Sequence, residues 1–290
     1  MPETSMPSPF VPEPPAASEA EVRARHAANR EGWNEGGARY AEWVDETVEF
    51  IRSGQSNLHE VERRNIGHLL PGMDLAVHLQ CAGGKDTLSL LNEGVKRVVG
   101  VDISDVMIEN AKRTTAALDA PATWYRCDLF DTPHELDGTA DLVYTGRGAL
   151  NWIMDLRPWA AVVARLLKPG GIFHVLDNHP LIYLFDDTSK ELRWSGQDYF
   201  AGGGWSQGWP SEYIGDMGKP VEEMAVMHER GWTLSDVFNA VHDAGLTIEY
   251  LGEHKEGYWS EREYMPEGIR DAVPYTFSLL AGKPPSAARP

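Results

Sequence analysis

Leu75-Ala76-Val77-His78-Leu79-Gln80-Cys81-Ala82-Gly83-Gly84-Lys85-Asp86-Thr87 decides the reading of this chain. A short apolar run gives way to small residues, and a helical pattern follows over 85–94. A strand that turns through such a loop into a helix opens a βαβ unit. The same texture recurs downstream. Arg97–Val101, Ala122–Arg126, Asp141–Thr145 and Ile172–Leu176 read as strands, and 104–118 and 156–167 as helices. Asp155 caps the last of these and Pro158 sits in its first turn. Strands alternating with helices of roughly 10–15 residues predict right-handed crossovers and a parallel sheet.

Outward from this core, over 75–180, the texture changes. Residues 1–17 hold six prolines and are expected to form a flexible arm that packs as neither helix nor sheet. Ser18-Glu19-Ala20-Glu21 is a capping box, so a helix starts there and runs towards Asn29. Tyr40, Val44, Val48 and Ile51 share one face of a second helix that Gly54 ends, and a third spans about 58–70 before Pro71-Gly72. Residues 18–74 are thus an N-terminal helical region. Residues 181–230 are rich in Gly, Trp, Tyr and Asp, and so long an irregular insertion reads as a lid over a site. Thr233-Leu234-Ser235-Asp236 caps a helix ending at Gly245. Leu246–Leu251 and Pro274–Ala281 are strands that complete the sheet within 231–283, ahead of a tail at 284–290.

Composition narrows the function. Of 290 residues 42% are hydrophobic, enough for a sizeable core. The 26 basic and 44 acidic side chains leave a net charge of −18, which repels phosphate backbones and anionic lipid, so neither nucleic acid nor a membrane is an expected partner. No apolar run approaches the roughly 18 residues of a membrane helix, and no basic stretch precedes an apolar core as in a secretory signal. Cys81 and Cys127 are too few to staple the fold, which points to the cytoplasm, and they read as small apolar residues of a cleft. The ten histidines show no metal-ligand spacing, so no metal is expected.

A parallel sheet binds its ligand at the carboxyl ends of its strands. The loop after the first strand offers unpaired amides. Asp102 ends the second strand, where a carboxylate accepts hydrogen bonds from both hydroxyls of a ribose. Asp128 ends the third. Thr145 ends the fourth, with Asn151 and Trp152 just beyond it. His179 follows the fifth and reads either as a catalytic base or substrate-positioning group, or as a cap of the strand end. In the insertion, Trp205 and Trp209, with Trp194, suit an apolar or aromatic substrate, or pack the lid.

The order and spacing of His78–Thr87, Gly100-Val101-Asp102-Ile103-Ser104, Cys127-Asp128-Leu129 and Leu167-Lys168-Pro169-Gly170-Gly171 make the chain resemble class I S-adenosylmethionine-dependent methyltransferases of the bacterial small-molecule, natural-product type. The resemblance is close over 75–180 and looser over 29–75 and 231–283. It implies an α/β Rossmann-like fold: a seven-stranded, mostly parallel sheet with an antiparallel last strand, N-terminal helices and an inserted lid. It implies S-adenosylmethionine as cofactor and S-adenosylhomocysteine as product. Asp102 would hold the ribose, Ile103 and Met107 would pack on the adenine, and Asp128 would accept its amino group near the Leu129 amide. Gly83, Gly84 and Thr87 would line the methionine end, with Thr145 at the rim. Tyr40 matches a lid tyrosine that reaches the cofactor carboxylate in relatives, or it packs in the core. The family's usual loop is an acid followed by Gly-x-Gly-x-Gly. Here His78 replaces the acid, and Gln80 and Ala82 replace two glycines, so Gln80 can contribute side-chain hydrogen bonds.

The function expected is methyl transfer to an O, N or C atom of a small, apolar or aromatic secondary metabolite. His179 and Asn151 are the catalytic candidates; Trp152, Trp205 and Trp209 are the substrate wall. The alternative keeps fold and cofactor but catalyses a cyclisation or rearrangement. A nicotinamide-dependent enzyme lacks its Gly-x-Gly-x-x-Gly here, and a catalytically silent binding module is the non-enzyme reading. The apolar faces of 18–54 must bury against the chain's own cleft or a neighbouring subunit, the latter giving a homo-oligomer through the N-terminal helices.

Overall fold

A computed structural model describes residues 10–185, 193–200, 202–210, 214–258 and 268–285. The first part of the proline-rich arm, segments of the 181–230 insertion and the end of the tail lie outside the described residues.

The five strands read in the parallel core are present as β2 (Ala76–Leu79), β3 (Val98–Asp102), β4 (Ala122–Arg126), β5 (Ala140–Gly146) and β6 (Leu167–Asn178). They alternate with α4 (Lys85–Asn92), α5 (Asp105–Leu118) and α6 (Leu156–Leu166). After α7 (Leu234–Asp243) come β9 (Thr247–His254) and β10 (Thr276–Gly282). The sheet order is β4-β3-β2-β5-β6-β10-β9, with β10 antiparallel between β6 and β9. This is the expected seven-stranded architecture. Val77, Leu79, Val101, Phe173 and Leu279 pack with α6 and α7 in one core, and Ala76, Leu142 and Tyr144 with Ile66, Leu70 and Leu90 in another. Each such side chain contributes roughly 1.5–3 kcal/mol by leaving water. Thr233 and Asp236 close a reciprocal capping box on α7.

The N-terminal region departs from expectation in an informative way. The first helix does not stop near Asn29: α1 runs Glu19–Tyr40, and after a short turn α2 follows at Val44–Arg52. Gly32, Gly36 and Gly37 each cost a helix about 1 kcal/mol relative to alanine. They are kept because bare backbone lets α1 sit directly on Met227, Trp209 and Val106. The helix expected over 58–70 is one α-turn, α3 (Glu60–Glu62), continued as a π-turn at Arg63–Gly67. The apolar face of α2 packs on α5, and α1, whose buried side is polar and glycine-rich, packs on α5 and on β8 (Val226–Arg230), so both bury on the chain itself.

The arm and the insertion also differ. β1 (Val11–Pro12) pairs with β7 (Gly203–Gln207), which pairs with β8, in a three-stranded antiparallel sheet. Proline is tolerated because β1 is an edge strand. Gly204 makes room, since a Cβ there would lie 2.3 Å from the Val11 carbonyl oxygen.

Candidate functional site

The carboxyl ends of β2, β3, β4 and β5 meet where the strand order reverses beside β2. Two adjoining cavities lie over them and share Trp33 and Ala82. The smaller, about 60 Å³, is lined from α1 by His26, Asn29 and Trp33, and from the sheet by Gln80, Asp102, Ile103, Asp128, Leu129 and Trp152. The larger, about 570 Å³, is lined by Tyr40 and Trp43, by Gly83 and Gly84, and by Lys85, Asp86, Arg147 and Tyr258.

The loop after β2 is built on two non-glycine residues in the left-handed region, Gln80 at φ 59° and Ala82 at φ 45°. These are the positions where the resembling family usually has glycine, and each stores roughly 1–2 kcal/mol of strain. Neighbours hold the geometry in place: the Cys81 amide donates to Val101 O (3.0 Å), the Gly84 amide to Cys81 O (3.0 Å), and Gln80 Nε2 to Ala149 O (2.7 Å). Gly84 opens α4 at φ +82°, and a Cβ there would fall 2.4 Å from the Trp124 ring.

The loop aims the Ala82 amide at Asp102. Asp102 Oδ2 accepts it at 2.8 Å, and Oδ1 accepts the Ser104 amide at 2.8 Å. A carboxylate has about four acceptor positions, so capacity remains on this one. Burial pushes the Asp102 carboxyl up to about 6, against the pull of the Ser104, Ala82 and Ile103 amides.

Asp128 faces α1. Its Oδ1 accepts the Phe130 amide (3.0 Å), while His26 Nδ1 (2.9 Å) and Arg23 Nη1 (3.0 Å) stand against Oδ2. Burial works to raise this carboxyl, but the hydrogen bond from His26, the Phe130 amide and the charge of Arg23 outweigh it and hold it below its ordinary value.

In the larger cavity Arg147 also adopts a left-handed conformation, φ 61°. Its Nη1 donates to Asn57 O (2.7 Å) and its Nη2 pairs with Asp86. Asp177, buried at the end of β6, accepts the amides of Gly148 (2.8 Å), Ala149 (3.0 Å) and Leu150 (2.9 Å), and the Tyr258 hydroxyl (3.2 Å). It thereby fixes the loop after β5. Burial raises the Asp177 carboxyl despite those amides.

Nine expected site residues therefore line the two cavities: Tyr40, Gln80, Gly83, Gly84, Asp102, Ile103, Asp128, Leu129 and Trp152. The others do not. Thr87 is fully buried with Oγ1 on His78 Nδ1 (2.8 Å), and Thr145 is buried with Oγ1 donating to Leu79 O (3.1 Å). Met107 is buried beneath the Ser104 cap. Asn151 Nδ2 donates to Glu229 (3.0 Å), whose carboxyl burial raises. His179 lies away from both cavities with each ring nitrogen engaged: Nδ1 accepts the Leu181 amide (3.1 Å) and Nε2 meets Glu253 (2.8 Å). That is the capping alternative. Trp209 packs on Trp33 and donates to Gly32 O (3.0 Å), supporting α1. Trp205 sits in β7 opposite Val11 and His228, and Trp194 is exposed.

The sequence reading missed His26 and Asn29, which lay inside the helix it expected, and Trp33, which lay beyond the end it gave that helix. Their spacing, with Arg23, at steps of three and four was the available signal. It also missed Arg147, which belongs to no motif, and Asp86, which lies in the quoted His78–Thr87 stretch but was given no role there. Burial pushes the Cys127 thiol up to about 11 and that of Cys81 well above its ordinary value, so neither is a thiolate nucleophile at neutral pH. Among the described residues no cluster of His, Cys, Asp and Glu could hold a metal, and no helix is long and apolar enough to cross a membrane.

Comparison with known proteins agrees with this geometry. Residues 76–171 match the family of the methyltransferase domain. An uncharacterized methyltransferase of Synechocystis sp. is 33% identical over 135 residues, 46% of this chain and 59% of the relative, so the match spans about three-fifths of that relative's length. The S-adenosylmethionine-dependent methyltransferase of Mesorhizobium loti superposes with a TM-score of 0.51 at 23% identity over 76% of this chain and 97% of its own. The geranyl diphosphate C-methyltransferase of Streptomyces coelicolor A3(2), solved with Mg2+, geranyl diphosphate and S-adenosyl-L-homocysteine, gives 0.50 at 16% identity over 77% and 80%. The fold is that of the class I methyltransferases.

Proposed function

We propose that this chain, which carries a methyltransferase domain in a class I fold, is an S-adenosylmethionine-dependent methyltransferase acting on a small apolar or aromatic molecule. The observation that carries the reading is the pair of strand-end carboxylates. Asp102 and Asp128 line one small cavity, each pinned by backbone amides and each with acceptor capacity left for a nucleoside. Asp102 would hold the ribose hydroxyls, Ile103 and Leu129 the faces of the purine, and Asp128 its amino group. Gly83 and Gly84 would let the amino-acid end approach backbone, in a cavity that Lys85, Asp86 and Arg147 line with the mixed charge a zwitterion needs.

The bound cofactor supplies an already activated methyl on sulfur. What remains for the chain is proximity, alignment and exclusion of water. Trp33, Tyr40, Trp43 and Tyr258 give the larger cavity an aromatic wall, so the substrate wall would come from the N-terminal helices and the segment after β9, in place of Trp205 and Trp209. At about 570 Å³ it falls within the roughly 300–1,000 Å³ of small-molecule sites. The smaller cavity, at about 60 Å³, is far below that range. A nucleoside would therefore extend from it into the adjoining larger cavity, with which it shares Trp33 and Ala82. The two unpaired thiols suit a reducing cytoplasm.

Titrating S-adenosylhomocysteine into the full chain tests the reading. We expect 1:1 binding that Asp102→Ala weakens by roughly 1–3 kcal/mol, because buried ribose hydroxyls lose a charged acceptor. A wild-type chain that does not bind the nucleoside, or an Asp102→Ala chain that binds it unchanged, sinks the proposal.

A further inference from the structure

His26 lines the smaller cavity, is 4% exposed, and bridges two loops that follow different strands. Its Nε2 lies 3.2 Å from the Met154 backbone nitrogen, which can only donate. Nε2 is therefore the acceptor, the ring proton is on Nδ1, and Nδ1–H donates to Asp128 Oδ2 at 2.9 Å. Arg23 closes on the same oxygen at 3.0 Å while its guanidinium forks onto Asp131, at 2.9 Å to each carboxylate oxygen. The Phe130 ring covers the imidazole at 5.1 Å between centroids. One turn on, Asn29 exchanges hydrogen bonds with the His228 backbone at 2.9 and 2.6 Å, which fixes α1 against β8 of the small sheet.

With Oδ2 taken by His26 and Arg23, and Oδ1 by the Phe130 amide, about one of the four acceptor positions of Asp128 is left, on Oδ1. We propose that His26 is a positioning residue for purine recognition: it locks the Asp128 carboxylate so that this last acceptor position meets the ligand, and so makes the site select a 6-amino over a 6-oxo purine. The proposal rests on the reading that the cavity takes an adenosyl ligand. A 6-amino group brings an N–H to that position. A 6-oxo group brings a lone pair against a half-buried carboxylate whose other positions are spent. Were the carboxylate free to rotate, it could swing away from the oxo group and the selection would fade.

Two variants of the full chain separate this role from simple packing. The amide nitrogen of His26→Asn can stand where Nδ1 stands, keeping the donor to Asp128 and losing Met154. The longer His26→Gln reaches Met154 and loses Asp128. Affinities for S-adenosyl-L-homocysteine and S-inosyl-L-homocysteine, measured by calorimetry, give the selection ratio. We expect the wild type to prefer the adenosyl compound by roughly 10- to 100-fold, His26→Asn to keep that ratio within about threefold, and His26→Gln to lose about tenfold of it. Equal ratios in both variants, or affinities for the two ligands that fall in parallel, overturn the proposal and leave His26 a packing residue. A wild type that binds neither compound overturns the adenosyl reading instead.

Discussion

Asp102 is the side chain whose chemistry is most exposed to measurement. Free of ligand, it keeps its proton up to about pH 6, because burial outweighs three amides. Ribose hydroxyls donate to the ionised form, so affinity for S-adenosylhomocysteine should rise as pH climbs from 5 through about 6, then level off. Asp102→Asn should bind weakly with a flat profile over the same range, and calorimetry at several pH values decides it; a flat wild-type profile would count against the buried carboxylate. A second prediction concerns strain. Ala82, at φ 45°, is an alanine where glycine would be at ease, so Ala82→Gly should leave stability unchanged or raise it by up to about 1 kcal/mol in denaturant melts. Gly84→Ala, driven into Trp124, should cost several times as much. Much of this site was legible in the sequence, since Asp102 and Asp128 end apolar runs at the spacing a nucleoside needs. His179 was ambiguous for a physical reason: a histidine before Pro180 at a strand end can serve a ligand or cap the turn, and the fold, which brings Glu253 and the Leu181 amide to its ring, shows the cap.

At the scale of elements, strands and their crossovers were readable because their apolar runs are short, regular and bounded by turn residues. The N-terminal elements were not, because their form is dictated by what they touch. Three glycines within α1 argue against a helix locally, yet they are the surface on which Trp209, Met227 and Val106 rest. The proline-rich arm has no partner in its own sequence, and it becomes an edge strand because Gly203-Gly204 offers bare backbone far along the chain. Glu13 then pairs with His228 at 2.7 Å and Arg25 at 3.3 Å, and Arg25 Nη1 donates to Pro14 O at 3.0 Å. The arm thus ties the small sheet to α1, the helix that closes one side of the smaller cavity. Deleting 1–17 should leave the seven-stranded sheet folded by circular dichroism, while release of S-adenosylhomocysteine in stopped-flow measurements speeds up by roughly tenfold, about 1.4 kcal/mol of lost restraint. An unchanged release rate would mean the strap does not restrain α1.

Across the whole molecule, the sheet carries a polar row through one of its apolar faces. His78 on β2, Tyr144 on β5 and His174 on β6 are in register, with ring centroids 4.6 and 6.4 Å apart, and all three are buried. His78 stands where the resembling family carries an acid, and it meets Thr87 Oγ1 rather than a ligand. Burial holds it neutral down to about 4, with Arg147 adding to the effect and Asp86 opposing it, and holds His174 neutral down to about 3. In the unfolded chain both titrate near 6.5. A base whose native pKa is depressed gives its full stability above 6.5 and loses it as pH falls, since the unfolded chain takes protons the native one refuses. Each imidazole should thus cost about 1.4 kcal/mol per pH unit below 6.5. The raised carboxyls of Asp102, Asp177, Glu62 and Glu229 act in the opposite sense, because the native state holds their protons first. The total slope therefore mixes both signs, and a difference between two chains isolates the histidine. His78→Asn, which can still hydrogen-bond Thr87, should be less stable than wild type at pH 7 because it packs less well against Tyr144. On acidification towards pH 5 the gap should close by roughly 2 kcal/mol, read as converging denaturant midpoints. Parallel curves over that range would mean that His78 is protonated in the folded chain, and that the row through the sheet is not the dry feature its burial describes.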